Sequence, residues 1–256
     1  MKKHPSLFLT LFGALVCATA AHAQLPTTQQ TPSPLPPGPL ILKRAPEMAM
    51  WTVTTTIGPL KDPAATRAGQ PAPQNDAEAS SQAVSKMLFC KTGSIVLVER
   101  FGEGKQVWNT WCRGPLQVVT WPDGKNCAEA TVPTTPRVEN PFYNDFSVSD
   151  FRGFEWVAKE NYIGIADFGG MKCIVYQKTL TIPSDSGDLP QYVPALAYVD
   201  VSSRLPIALV MGEQSSLFEW KSPPQSMLIL PPNVQALLNQ RQKGLDQMSQ
   251  QALKPF

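Results

Sequence analysis

The chain has 256 residues, with 22 Lys plus Arg against 20 Asp plus Glu, and two histidines. A formal charge of +2 with no basic cluster excludes a nucleic-acid footprint and a polybasic membrane-surface patch. Both histidines, His4 and His22, fall at the extreme N-terminus, so the commonest general base and metal ligand is missing from everything after residue 22.

The N-terminus reads as an export signal over 1–23. Lys2 and Lys3 precede an apolar run, Leu7 to Val16, and Ala21-His22-Ala23 has the shape of a cleavage site with Gln24 as the first mature residue. The run is too short to span a bilayer, and no later stretch reaches about 18 apolar residues, so no transmembrane anchor is expected after cleavage. Val16 before Cys17 differs from the small residue of a lipidation signal. Loss of Lys2 and Lys3 balances the mature chain at 20 charges of each sign. The expected location is periplasmic or secreted.

Residues 24–46, rich in Pro, Thr and Gln, read as an extended, disordered leader. A single β domain is expected over 47–238. It opens with MAMWTVTTTI (48–57), a β-branched strand, followed by a flexible Ala/Pro/Gln-rich insertion at 58–83. From Lys86 turn signals recur at the spacing of all-β chains. SIVLVERF (94–101) and QVWNTWC (106–112) flank Gly102-Glu103-Gly104, and strands at 116–121 and 127–132 complete a four-strand meander. A Pro/Asn/Asp-rich loop fills 133–150. GFEWVAKENYIGIADF (153–168) and MKCIVYQKTL (171–180) read as strands around Gly169-Gly170. After a loop at 183–190 come AYVDV (197–201), PIALVMG (206–212) and SLFEWK (216–221). Asn233 offers a helix cap, and Val234, Leu237, Leu238, Leu245 and Met248 keep helical spacing. Residues 239–256 are expected to be helical or frayed.

Several strands are apolar on both faces. Ile95, Leu97 and Phe101 oppose Val96 and Val98, while Ile207, Leu209 and Met211 oppose Ala208 and Val210. Such strands need cover on both sides. Export also makes Cys90, Cys112, Cys127 and Cys173 candidates for two structural disulfides, with three pairings open. No C-x-x-C, G-x-S-x-G, S-x-x-K, P-loop or G-x-G-x-x-G occurs. Acid pairs such as Glu155 with Glu160, or Asp150 with Asp167, are what any β protein with 20 acids offers.

Three stretches resemble the periplasmic lipoprotein-carrier (LolA-like) superfamily. In AYVDVSSRLPIALVMGEQSSLFEW (197–220) the residues Tyr198, Asp200, Arg204, Leu205 and Pro206 carry the likeness. KTGSIVLVERFGEGKQVWNTW (91–111) is similar to that family's early meander, GMKCIVYQKTL (170–180) to its central strand, and LPPNVQALL (230–238) to its closing helix. The resemblance spans most of 86–238 and implies an antiparallel half-barrel with helices over a concave apolar face.

The expected fold is therefore mainly β: an antiparallel, strongly curved sheet (a half-barrel) with a C-terminal helix covering one face, the alternative being a β-sandwich. The expected function is non-enzymatic, needing no cofactor or metal: a lipid or other apolar ligand held in the cavity, with each buried CH₂ contributing about 0.8 kcal/mol. Candidate lining residues are Trp108, Trp156, Tyr198, Leu209, Phe218 and Trp220. The alternative is a structural or interaction module of the cell envelope with a protein partner and no small-molecule ligand.

Overall fold

The computed structural model describes residues 33–60, 85–124, 127–129, 146–182 and 190–252. The segment read as an export signal, with Ala23 and Gln24, the body of the 58–83 stretch, most of 133–150 and the side chains of Cys127 and Met248 lie outside the described residues.

Eleven strands form one antiparallel sheet: β1 (Met48–Ile57), β2 (Ser85–Thr92), β3 (Ile95–Gly102), β4 (Lys105–Arg113), β5 (Leu116–Thr120), β6 (Cys127–Glu129), β7 (Tyr162–Phe168), β8 (Met171–Ile182), β9 (Gln191–Asp200), β10 (Pro206–Met211) and β11 (Gln214–Lys221). Their order is β6-β5-β4-β3-β2-β1-β11-β10-β9-β8-β7. Two local meanders are thus joined at the middle by the first and last strands. The sheet is open, with β6 and β7 at its edges, and curved; among the described residues all strands belong to this one sheet, and they do not form the alternative sandwich.

The tight turns follow their chemistry. Glu103 and Gly104 both take positive φ, 50° and 74°, as a two-residue hairpin between right-twisted strands demands. Gly169-Gly170 do the same between β7 and β8, at 61° and 78°. The strand expected over 153–168 starts only at Tyr162. Residues 153–161 are irregular, closing with a 3-10 turn at Lys159–Asn161. Gly153 explains this: its φ is 87°, and a Cβ there would meet Leu209 at 2.7 Å. The segment is folded down onto the sheet rather than added to its edge.

The helix α1 runs Pro232–Ala252. Pro231 supplies the first accepting carbonyl, to the Gln235 N–H at 2.9 Å. Pro232 takes the first helical position, where a missing N–H costs nothing. Asn233 is therefore inside the helix and not its cap; its amide donates to the Gly124 carbonyl at 3.3 Å.

Register assigns the faces. The first face carries Ala49, Trp51 and Val53 of β1, Phe89 of β2, Phe218 and Trp220 of β11, Leu209 of β10, and Ile174 and Tyr176 of β8. These residues form the main core together with Phe151 and Phe154. The second face presents Trp111, Leu116 and Val118 to Val234 and Leu238 of α1. Two-sided cover is what the strand pattern requires: Ile95 and Leu97 lie under the helix, while Val96 and Val98 pack with Phe146 on the other face. Ile207 departs from its expected face. A bulge between Pro206 and Ala208 moves it into a cluster with Ala208, Phe168 and Cys173.

Two expectations are corrected. The leader is not disordered over its described part, 33–46: Leu35, Leu40, Ile41 and Ala45 pack on the main core. The helix lies on the second face, leaving the main core to this leader segment and to 146–161. The leader cannot be helical, because Pro34, Pro36, Pro37 and Pro39 supply no N–H. Disulfides are absent among Cys90, Cys112 and Cys173, which are thiols. Register explains it. Cys90 faces Leu97, which faces Trp111, so Cys112 is two strands away and on the opposite face. Strands lie about 4.8 Å apart, and a disulfide needs Cα atoms within about 7 Å. Cys173 is in the other meander, across from Asp200.

Candidate functional site

The first face is an aromatic floor under an irregular roof. Trp51 is its centre and is fully buried. It stacks on Phe89 at 5.1 Å, with planes 4° apart, and meets Trp220 at 5.4 Å. Phe151 stands edge-on to Trp51 and Trp220 at 5.7 and 5.8 Å, and Phe154 edge-on to Phe218 at 5.6 Å. These arise because β1, β2 and β11 are central neighbours in register, so that aromatics at alternating positions fall side by side.

The roof has two pieces, the strap 33–46 and the segment 146–161. Polar pins hold the strap at both ends. At its C-terminal end the buried Asp150 carboxylate accepts from Lys91 Nζ at 2.6 Å and from the Ala45 N–H at 2.7 Å, while Lys91 also donates to the Ala45 carbonyl at 3.0 Å. Arg44 donates to the carbonyls of Phe146 and Ser147 and lies 3.6 Å from Asp150. This junction ties strap, roof segment and β2 together beside a cleft of about 250 Å³ lined by Arg44, Lys91, Ser94, Ser147 and Asp150.

At the N-terminal end the Tyr162 hydroxyl donates to the Ser33 carbonyl at 2.7 Å and the Tyr176 hydroxyl to the Leu40 carbonyl at 3.1 Å. Arg204 grips the strap twice. Its carbonyl accepts from the Leu42 N–H at 2.9 Å, and its Nη2 donates to the Pro37 carbonyl at 2.6 Å. Arg204 itself takes a φ of 60°, following a turn in which Ser202 and Ser203 donate to the Asp200 carboxylate. Burial raises the Tyr162 and Tyr176 phenols above their usual range; for Tyr176 the Arg204 charge opposes that rise and Tyr162 adds to it.

Of the six residues expected to line a cavity, Leu209, Phe218, Trp156 and Trp220 come together in or against this core. Trp108 is on the same face of the sheet but apart from the cluster, under the guanidinium of Arg100 at 4.6 Å. Tyr198 points to the second face, against Phe168 with ring centroids 4.9 Å apart and planes tilted by 33°. Sequence reasoning missed Trp51, Phe89, Phe151 and Phe154. The first two were recoverable from parity once β1 was taken as a central strand; Phe154 sat in a stretch misread as strand, and Phe151 fell between that stretch and the loop before it. Among the described residues no three His, Cys, Asp or Glu side chains converge as a metal site requires, and no helix is long and apolar enough to cross a membrane.

No protein-family model matches the chain, and no curated protein matches it. Among solved structures it is similar to a LolA superfamily protein from Nitrosomonas europaea, at 11% identity and a TM-score of 0.31, over 75% of this chain and 91% of that one.

Proposed function

We propose that this chain is a non-enzymatic binding protein of the periplasm or the secreted fraction, holding a lipid or other apolar ligand against the strap-covered face. One observation carries the reading. The largest aromatic surface of the sheet is roofed, among the described residues, only by irregular chain, anchored through the polar pins at its two ends. The magnitudes favour exchange. Lifting the strap uncovers the partly buried Leu35, Leu40 and Ile41, an apolar loss of at most about 5–9 kcal/mol, since roughly 1.5–3 kcal/mol applies to full burial of each side chain. An acyl chain of about 15 CH₂ groups offers roughly 12 kcal/mol on burial, before its own ordering cost.

The test is native mass spectrometry of the mature protein purified from a bacterial periplasm, with organic extraction and uptake of a fluorescent fatty acid. A stoichiometric apolar adduct supports the reading. A clean apo mass with no uptake refutes it and leaves the envelope interaction module. That second reading has its own observation: Trp51, Leu209 and Phe218 are already buried against the protein's own side chains.

A further inference from the structure

We infer that the ligand of the strap-covered face carries an anionic oxygen head, a carboxylate or a phosphate, and that Arg204 receives it. The inference rests on the apolar-ligand reading and adds the chemical class of the ligand to it.

Arg204 is only 7% exposed. Buried arginines are normally paired, because a desolvated guanidinium without a counter-charge is costly. Yet among the described residues no carboxylate lies within ion-pair distance of Arg204, in contrast to Arg44, Lys91, Lys172 and Lys221, each of which has one. The nearby Asp200 carboxylate accepts instead from Ser202 and Ser203. Arg204 Nη2 reaches two neutral strap carbonyls, Pro37 at 2.6 Å and Pro36 at 3.4 Å, and Nη1 is buried with no acceptor.

A planar guanidinium fork is matched by the two oxygens of a carboxylate or phosphate. The two proline carbonyls occupy only the Nη2 arm of that fork, and the buried Nη1 arm is left without the second oxygen that a carboxylate or phosphate would supply. Gly38 lets the strap run past the guanidinium, since its φ of 113° is a conformation that L side chains rarely adopt. A second orphan donor belongs to the same core region, since Trp156 Nε1 is also buried without a partner. A chain on the aromatic floor with its head at the Arg204 end satisfies the apolar surface and a buried cation together.

The experiment measures affinities of the mature full-length protein for palmitate, hexadecyl phosphate, methyl palmitate and inorganic phosphate, by calorimetry and tryptophan fluorescence. Palmitate or hexadecyl phosphate should bind about tenfold or more tighter than the neutral ester, the scale of one charge-assisted contact. Which of the two binds tighter identifies the head. In Arg204→Gln that preference should collapse, and in Arg204→Lys it should persist in part. Equal affinity of the wild-type protein for palmitate and methyl palmitate, with hexadecyl phosphate no tighter, overturns the anionic head while leaving apolar binding intact; this comparison needs no variant to fold. Retained preference in Arg204→Gln overturns the residue. Inorganic phosphate binding as tightly as hexadecyl phosphate overturns the amphipathic ligand. Binding of none of the four sinks the apolar reading together with this one.

Discussion

Replacing Lys91 by Met tests whether the buried junction holds the roof in place. Lys91 and Asp150 side chains are 8% and 0% exposed, and Asp150 Oδ2 is shared between Lys91 Nζ and the Ala45 N–H. Removing one member of a buried pair costs about 3–5 kcal/mol, since it strands a charge. Arg44, 3.6 Å from Asp150 Oδ1 but half exposed, screens that charge only weakly and places the expected loss near the lower end, about 3 kcal/mol. Against a typical domain stability of about 5–15 kcal/mol, this is a large shift in the urea midpoint, read by the fluorescence of Trp51 and its neighbours. The companion variant Lys91→Met with Asp150→Asn keeps an acceptor for the Ala45 N–H and removes the stranded charge, so it should recover roughly half of the loss. A Lys91→Met loss under about 1 kcal/mol, or a double variant no more stable than the single one, would refute the reasoning.

Leu238→Ala should cost about 2–5 kcal/mol and raise amide exchange along α1, because Leu238 is fully buried against Trp111, Leu116 and Val118; exchange unchanged in the helix would contradict the packing. Alkaline pH should release the N-terminal end of the strap. The raised Tyr162 and Tyr176 phenols keep their protons where the unfolded chain loses them, so their contribution is whole below about pH 10 and is lost as pH rises through their folded values. Protease cleavage at 33–46 should climb over that range, and the climb should be absent in Tyr162→Phe with Tyr176→Phe. Cys90, Cys112 and Cys173 should all titrate as thiols in denaturant without reductant, while Cys112, whose thiol burial pushes far up, should stay silent in the native protein.

The strand ladder was legible in the sequence because hairpins are local. Turn glycines and alternating apolar residues define β3–β5, β8, β10 and β11 to within a few residues, whereas β9 begins at Gln191, six residues before the expected start at 197. What was not legible depended on partners far along the chain. Nothing near Trp51 announces that Phe89 and Trp220 flank it, because that follows from β1 lying between β2 and β11. Phe151 and Phe154 resemble strand residues by composition. Gly153 takes them out of the sheet for a reason that resides in Leu209, some 56 positions away. The strap illustrates the same limit. Its prolines correctly exclude helix and ladder, but its attachment comes from Lys91, Asp150, Tyr176 and Arg204. The cysteines misled because their even number was read through the expected compartment, whereas their spacing in the sheet decides the outcome.

The pairing of β1 with β11 also has a temporal meaning. Met50 through Ile57 find their partners in Gln214 through Lys221, so the middle of the sheet cannot close until nearly the whole polypeptide has been made. Each meander is built from local contacts, whereas the seam between them is the longest-range strand pairing among the described residues, the kind of contact that forms slowly. A chain cut short before residue 214 would keep both meanders and still leave the inner edges of β1 and β10 unpaired. Those are the edges through which β-rich chains adhere to one another. The last strand is in this sense a timer: while it is missing, the protein remains an open, unfinished sheet.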